Sequence, residues 1–391
     1  MNFVFAKKCV LPTGAANVLQ SLNMAAAFSR AGADMSFFPG IKGNNGAERD
    51  ALFRTALNDL GVDPPLAGGW DLLPGSHAGF YGARFRLKMA ALRFASPGAV
   101  FYARDIKEAS CIRRLLALPG RKHRFVFEMH EVLHRQAQNA AQKERLRREE
   151  AAVLRAAHGL VALTPSLGDM ARDIFGYSGP VLVEPSAYNP AVFKPVDLFS
   201  AGSRWPGEED DVQLVYLGRF HQGKGVENLV AAMEFLPLRV RLRIIGGSPA
   251  DRYAALKAAA AAIPGGGARI SFTGTLPQKD AAKAVAGAHI FVIPQEDGGV
   301  FFSPLKLYEA LALGVPVLTT PLGVFAEQEA AGLVAAAPGT GPEDIAEGVM
   351  RLVRDGEKAR SLREKGLAAA KTATWQARAE RILAFCAGLS A

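Results

Sequence analysis

The chain is poor in cysteine, with only Cys9, Cys111 and Cys386 in 391 residues. Three well-separated thiols, an odd number, exclude a disulfide framework and give no metal-ligand spacing. Long apolar runs are missing as well. Almost half of the residues are apolar, yet no run approaches the about 20 residues that a membrane-spanning helix needs. The opening Met1-Asn2-Phe3-Val4-Phe5-Ala6-Lys7-Lys8 is too short and too soon charged for a secretory signal, and it reads as a first buried strand. These features predict a soluble, cytoplasmic protein. No Gly-x-Gly-x-x-Gly turn with a following acidic residue begins either half, which argues against a nicotinamide or flavin oxidoreductase. No low-complexity segment or short-period repeat is present beyond a general richness in alanine.

Charge is plentiful and unbalanced. The formal net charge is +9, and basic residues gather in the first half around Arg84–Arg93, Arg113–Arg124 and Lys143–Arg148. Such an excess suits anionic partners. The third group, interleaved with Glu144, Glu149 and Glu150, reads as a solvated helix face. The first two fit an anionic membrane surface or a phosphorylated acceptor, which adds the inner membrane face as a peripheral location. Nucleic acid is not expected, because no aromatic interleaving or recognised module accompanies the charge.

Short β-rich runs alternate with helical stretches from end to end, the pattern of parallel sheets covered by helices. In the first half the strands are expected at Asn2–Ala6, Ala33–Phe38, Ala99–Ala103, Phe125–Met129, Gly159–Leu163 and Pro180–Glu184. Helices at Ala16–Arg30 and Gln136–His158 are the clearest, the second charged enough to lie on the surface. The polar, Gly/Pro-containing stretch Phe199–Asp211 reads as a linker. A second cycle follows, with strands at Val212–Leu217, Val240–Ile245, Ala268–Thr273, His289–Pro294 and Val315–Thr319. The fold class is therefore α/β, two doubly wound Rossmann-like domains, with ligands at the carboxyl ends of the strands. The expected division is 1–198, 199–372, and a C-terminal helical segment, 373–391.

Two segments carry chemistry. Gly218-Arg219-Phe220-His221-Gln222-Gly223-Lys224-Gly225 follows a strand and precedes a helix. Its glycines let the backbone turn tightly, while Arg219 and Lys224 place two cations where a diphosphate would sit. It is not a P-loop, since Gly225 follows Lys224 in place of Ser or Thr. The second segment, Ser303-Pro304-Leu305-Lys306-Leu307-Tyr308-Glu309-Ala310-Leu311-Ala312-Leu313-Gly314-Val315-Pro316, spells a complete helix. Ser303 suits the N-cap, Pro304 the first helical position and Gly314 the left-handed position past the end. The free N–H groups of Leu305 and Lys306 and the helix dipole make an anion site, to which the dipole contributes ~0.3–2 kcal/mol. Charge-assisted bonds from Arg219 and Lys224, ~1.5–3 kcal/mol each, should dominate. Glu309, about one and a half turns in, is within reach of a ribose.

These segments resemble the donor-binding domain of the retaining, GT-B-fold glycosyltransferases of glycosyltransferase family 4. The resemblance implies two Rossmann-like domains facing each other across a cleft, a donor diphosphate held by Gly218, Arg219, Lys224 and Gly225, and a ribose held by Glu309. The family carries a further glutamate eight positions before the ribose ligand; Phe301 stands there, and Glu296 or Asp297 is the candidate replacement. Ile244-Ile245-Gly246-Gly247 and Ile270–Leu276 match segments that line the nucleotide, which brings in Gly247, Thr275 and Leu276. In the first half, Gly14 of Pro12-Thr13-Gly14-Ala15 matches a glycine loop facing the cleft, and His130 of Glu128-Met129-His130-Glu131 matches a position that touches the donor sugar. Thr374-Trp375 and the helix after it resemble the segment that crosses back to the first domain.

The function implied is sugar transfer from a nucleotide-diphosphate sugar, UDP or GDP type, to a glycan, lipid-linked or small-molecule acceptor with retention of configuration. No cofactor and no metal are expected. A nucleotide-sugar epimerase or hydrolase of the same fold, and a non-catalytic donor-binding protein, remain alternatives.

Overall fold

A computed structural model describes every residue except 12–15, 44, 60, 63–69, 76–77, 121, 197, 199–204, 248, 297–304 and 391, and omits the side chains of 16, 59 and 78–80. The chain forms two compact units. The first is built from Met1–Ser186 with Trp375–Ala391, and the second from Ala187–Gly299 with Pro304–Thr374.

The first unit carries a six-stranded parallel sheet: β1 (Asn2–Ala6), β2 (Asp34–Ser36), β3 (Val100–Ala103), β4 (Arg124–Met129), β5 (Gly159–Ala162) and β6 (Val181–Val183), in the order β2-β1-β3-β4-β5-β6. Strands β1, β3 and β5 are apolar and buried on both faces, as a sheet covered by helices requires. Phe3, Phe5, Phe28, Phe37 and Tyr102 interlock on one face, with ring centroids 4.5–5.9 Å apart. A small parallel sheet of Val10–Leu11, Gly40–Ile41 and Leu73–Pro74, not anticipated from the sequence, lies beside it. Its strands are two residues long, too short for any periodicity to show. The C-terminal helix Trp375–Ala387 packs on the helix Ala16–Arg30 of this unit.

The second unit repeats the plan with β7 (Val212–Leu217), β8 (Val240–Ile245), β9 (Ile270–Gly274), β10 (Ile290–Ile293), β11 (Val317–Thr319) and β12 (Ala335–Ala336), all parallel, in the order β9-β8-β7-β10-β11-β12. One apolar cluster fills each face. The helices Val226–Ala232 and Pro342–Arg354 cover one, and Gln278–Ala286 and Leu305–Leu313 the other. The strand order reverses between β7 and β10, so the switch point falls where those two neighbours end.

Two expectations are corrected. The boundary falls after Ser186, not at 198, because Tyr188 and Phe193 are buried in the second unit's core, Tyr188 bridges Thr374, and the Val196 amide donates to the Leu313 carbonyl. Trp205 likewise packs on that unit and donates to the Leu352 carbonyl at 3.0 Å. The helix Ala140–Ala156 is not solvated on all its charged positions: Glu150 is buried, accepting from the amides of Leu133 (2.7 Å) and His134 (3.1 Å) and bonding His134 Nδ1 at 2.8 Å, while Glu149 accepts from Ser110. A buried carboxylate capping a neighbouring turn looks, in sequence, like one more surface charge.

Candidate functional site

Three neighbouring strands of the second unit end in glycine. Gly218 follows β7, Gly246 follows β8 and Gly274 closes β9. Their backbones lie against one another: the Gly218 amide donates to the Ile245 carbonyl at 3.0 Å and the Gly246 amide to Gly274 at 2.9 Å. A Cβ on Gly246, whose φ is +138°, would run into the Gly218 carbonyl. Side chains are thus excluded where the three strands end, and the edge presents backbone.

The segment after Gly218 forms a tight turn. Phe220 is fully buried and stacks on Tyr253 at 6.1 Å, pinning the turn from below. Tyr216 donates to the Arg219 carbonyl at 2.8 Å. Gly223 and Gly225 adopt φ of +80° and +67°, a region that disfavours a Cβ. The far end of the turn is stitched to the loop after β10: the Glu296 amide donates to the Gly223 carbonyl at 3.0 Å, and a Cβ on Gly225 would overlap the Pro294 carbonyl. The two-cation turn is therefore held at the switch point between β7 and β10.

Its electrostatics are positive. Burial lowers the Lys224 ammonium from 10.5 to about 8. His221, exposed beside it, is lowered by burial and then by the cations Arg219, Lys224 and Arg252. Arg219 is exposed. An anion placed here would favour the protonated forms of both Lys224 and His221.

The helix Leu305–Leu313 connects β10 to its parallel neighbour β11, so it starts from the same carboxyl edge. Gly314 ends it at φ +74°, as its sequence predicted. Leu305 is buried and Lys306 half-buried. Lys306 Nζ lies 2.8 Å from the buried Glu309 carboxylate. Burial raises the Glu309 pKa, opposed by Lys306 and by a hydrogen bond from Gln278. Leu276 packs against the apolar cluster that includes Tyr308, Gly247 lies beside the Tyr253 ring, and Thr275 is exposed. Glu296 is exposed and set by its bond to the turn. Gly14, Asp297, Phe301, Ser303 and Pro304 lie outside the described residues.

In the first unit, His130 follows β4. Its Nε2 lies 2.6 Å from Glu128 Oε1 and its Nδ1 is 3.2 Å from an Arg104 guanidinium nitrogen. Arginine only donates, so Nδ1 must accept and Nε2 must carry the proton. Burial, and then Arg104, lower the ring to about 4 against the opposing pull of Glu128. Tyr102 and Arg378, which complete this environment, were not picked out by sequence reasoning. Glu128 accepts from Tyr102 and from Arg378 (3.1 Å), the latter 250 positions downstream, a separation that leaves no local signal.

The architecture, two doubly wound α/β units with these strand orders, is that of the GT-B glycosyltransferases. Residues 211–355 match the family described as Glycosyl transferases group 1. Among solved structures, the chain is similar to the sucrose-phosphate synthase of Thermosynechococcus elongatus (18% identity, 98% of each chain covered, TM-score 0.72). It is also similar to HepE of Anabaena in complex with UDP and with UDP-glucose (14% identity, 100% of each chain, TM-score 0.70). A third is the lipopolysaccharide outer core galactosyltransferase WaaB (14% identity, 98% of each chain, TM-score 0.62). At these identities the likeness establishes the fold. No curated relative matches the chain.

Proposed function

We propose that the chain is a glycosyltransferase that takes a sugar from a nucleotide-diphosphate donor bound by its second unit and passes it, with retention of anomeric configuration, to an acceptor held by its first. The observation that carries this reading is the placement of Arg219 and Lys224 at the β7–β10 switch point, on the edge from which the helix Leu305–Leu313 departs. Two cations and the first amides of that helix would stabilise the charge that grows on the departing diphosphate. Glu309 would accept from the ribose hydroxyls, with Lys306 Nζ 2.8 Å from its carboxylate. The group 1 match over 211–355 and the UDP complexes of HepE favour a nucleotide donor of the UDP type, with GDP as the alternative. Retention, with the leaving phosphate accepting the acceptor's proton, rests on the family resemblance of residues 218–225 and 309. The reading requires no metal and no cofactor.

The first unit offers a surface for an anionic membrane and so for a lipid-linked acceptor. Leu87, Phe94 and Leu118 are 69%, 61% and 53% exposed, and Arg84, Lys88, which pairs with Asp71, and Arg114 are exposed nearby in sequence. Arg93, on the helix Ala78–Ala95, ties it to the end of the helix Ile106–Leu116 and the turn after it through the carbonyls of Leu115, Leu118 and Pro119. Exposed apolar side chains with cations close by in sequence are a pattern of interfacial binding. No helix among the described residues is long and apolar enough to cross a membrane.

Incubating the chain with UDP- and GDP-sugars and a panel of glycan and lipid acceptors tests the reading, with the product's anomeric proton coupling reporting its configuration. Transfer with inversion would overturn the retention. Donor epimerisation or hydrolysis without transfer, or donor binding without turnover, would replace transferase with one of the alternatives.

A further inference from the structure

The helix Trp375–Ala387 packs on the first unit and inserts Arg378 into it, 1% exposed. The guanidinium spends Nε on the Pro185 carbonyl (2.8 Å) and Nη2 on the Glu184 carbonyl (3.3 Å) and Glu128 Oε1 (3.1 Å). Glu128, also buried, accepts from Arg378, from the Tyr102 hydroxyl and from His130 Nε2. On the ring's other side Arg104 reaches Nδ1 while its remaining bonds go to Gln20, Ser21 and the Asn17 carbonyl. A continuous chain of contacts runs from the C-terminal helix through β4 to the end of the strand where His130 stands.

We propose that Arg378 is a positioning residue that acts through Glu128 to hold His130 as a neutral imidazole protonated on Nε2. The argument is one of charge balance. A buried carboxylate in contact with a histidine ordinarily draws a proton onto the ring, making an ion pair. Here the Glu128 charge already faces Arg378, so the ring is spared the proton, and Arg104 opposes protonation from the Nδ1 side. Among the described residues, the charged groups that act on the ring are Glu128 from β4, Arg104 from the end of β3, and Arg378 behind Glu128. The adjacent helix Ala16–Arg30 meets Arg104 with neutral groups, Gln20, Ser21 and the Asn17 carbonyl, and the Arg104 Nε is 3.9 Å from Asp105. Burial acts in the same direction as the two arginines, and the ring stays neutral down to about pH 4. On the sugar-transfer reading, a neutral ring puts no positive charge near the electron-deficient sugar centre of the transition state. That consequence rests on the transferase reading; the protonation state of the ring does not.

The test is a histidine-selective 15N and 13C titration of the full chain, with His130 identified by the signal lost in His130→Asn. In the wild type the ring shows the Nε2–H tautomer and no protonation above about pH 5. In Arg378→Met the midpoint rises, the protonation constant increasing by about tenfold or more. Arg378→Lys, which keeps the charge, retains the wild-type tautomer and decides the matter if the methionine variant does not fold. A wild-type midpoint at the ordinary histidine value, an unchanged midpoint in Arg378→Met, or a protonated ring at neutral pH in Arg378→Lys would overturn the proposal. The pH profile of donor turnover then separates the two layers. A new acidic limb in Arg378→Met supports both, whereas a shifted ring with an unchanged profile leaves the relay standing and removes His130 from the transfer step.

Discussion

The amide of Glu296 and the carbonyl of Gly223 are joined at 3.0 Å, and this bond ties a turn bearing two cations to the loop that leaves the neighbouring strand. Because β7 and β10 are parallel neighbours, the bond can form only at their shared carboxyl edge. It converts a sequence pattern, glycines around Arg219 and Lys224, into a fixed position at the switch point of the sheet. The candidate donor site is thus a consequence of strand order as much as of the cations themselves.

Removing either cation should cost transition-state stabilisation. Arg219→Ala and Lys224→Ala are each expected to lower donor kcat/KM by about 10- to 100-fold, the equivalent of ~1.5–3 kcal/mol for a charge-assisted hydrogen bond. Steady-state kinetics alongside circular dichroism checks this. Wild-type rates in folded variants would remove both residues from the site.

The turn geometry itself is testable. Gly225→Ala places a methyl group at φ +67° and against the Pro294 carbonyl, so the turn must shift. The strain alone costs about 1–3 kcal/mol. A lowered Tm and weakened donor binding are both expected, measured by differential scanning calorimetry and titration calorimetry.

Lys224 should impose a pH dependence on donor binding. Its ammonium is lowered to about 8 by burial in the free protein. An anionic donor binds the protonated form, so affinity is full below that value and declines as pH rises through it. Titrations from pH 6.5 to 9.5 test the sign. Lys224→Met should bind weakly and lose the decline, and an equally steep decline in that variant would assign it to another group.

On the first unit, Leu87→Asp with Phe94→Asp should abolish sedimentation with phosphatidylglycerol vesicles, and wild-type binding should weaken as salt rises. Binding that is indifferent to both changes would discard the membrane surface.

How much of this could be read in the chain follows a physical rule. The strands Asn2–Ala6, Val212–Leu217 and Val240–Ile245 were legible to the residue: the first is apolar from Phe3 to Ala6, and the other two keep Val, Leu and Ile in the core around the less buried Gln213, Arg241 and Arg243. The end of the helix Leu305–Leu313 was legible because Gly314 carries its own signal. The small parallel sheet at Val10–Leu11 was not, since two residues carry no period. Nor was the role of Glu150 or Arg378: a charged residue on an amphipathic helix looks solvated until the partner that buries it is known. The boundary was misplaced for a similar reason. Tyr188 and Phe193 sit in a polar, proline-containing stretch, and only the tertiary structure shows which core receives them.

The central claim is that one positively polarised edge of the second unit grips a pyrophosphate. Titration calorimetry of UDP and of uridine into the wild type and into Arg219→Ala/Lys224→Ala tests it most directly. The account predicts that UDP binds the wild type far more tightly than uridine does, and that the double variant erases most of that difference. A double variant that keeps the full preference for UDP would contradict it.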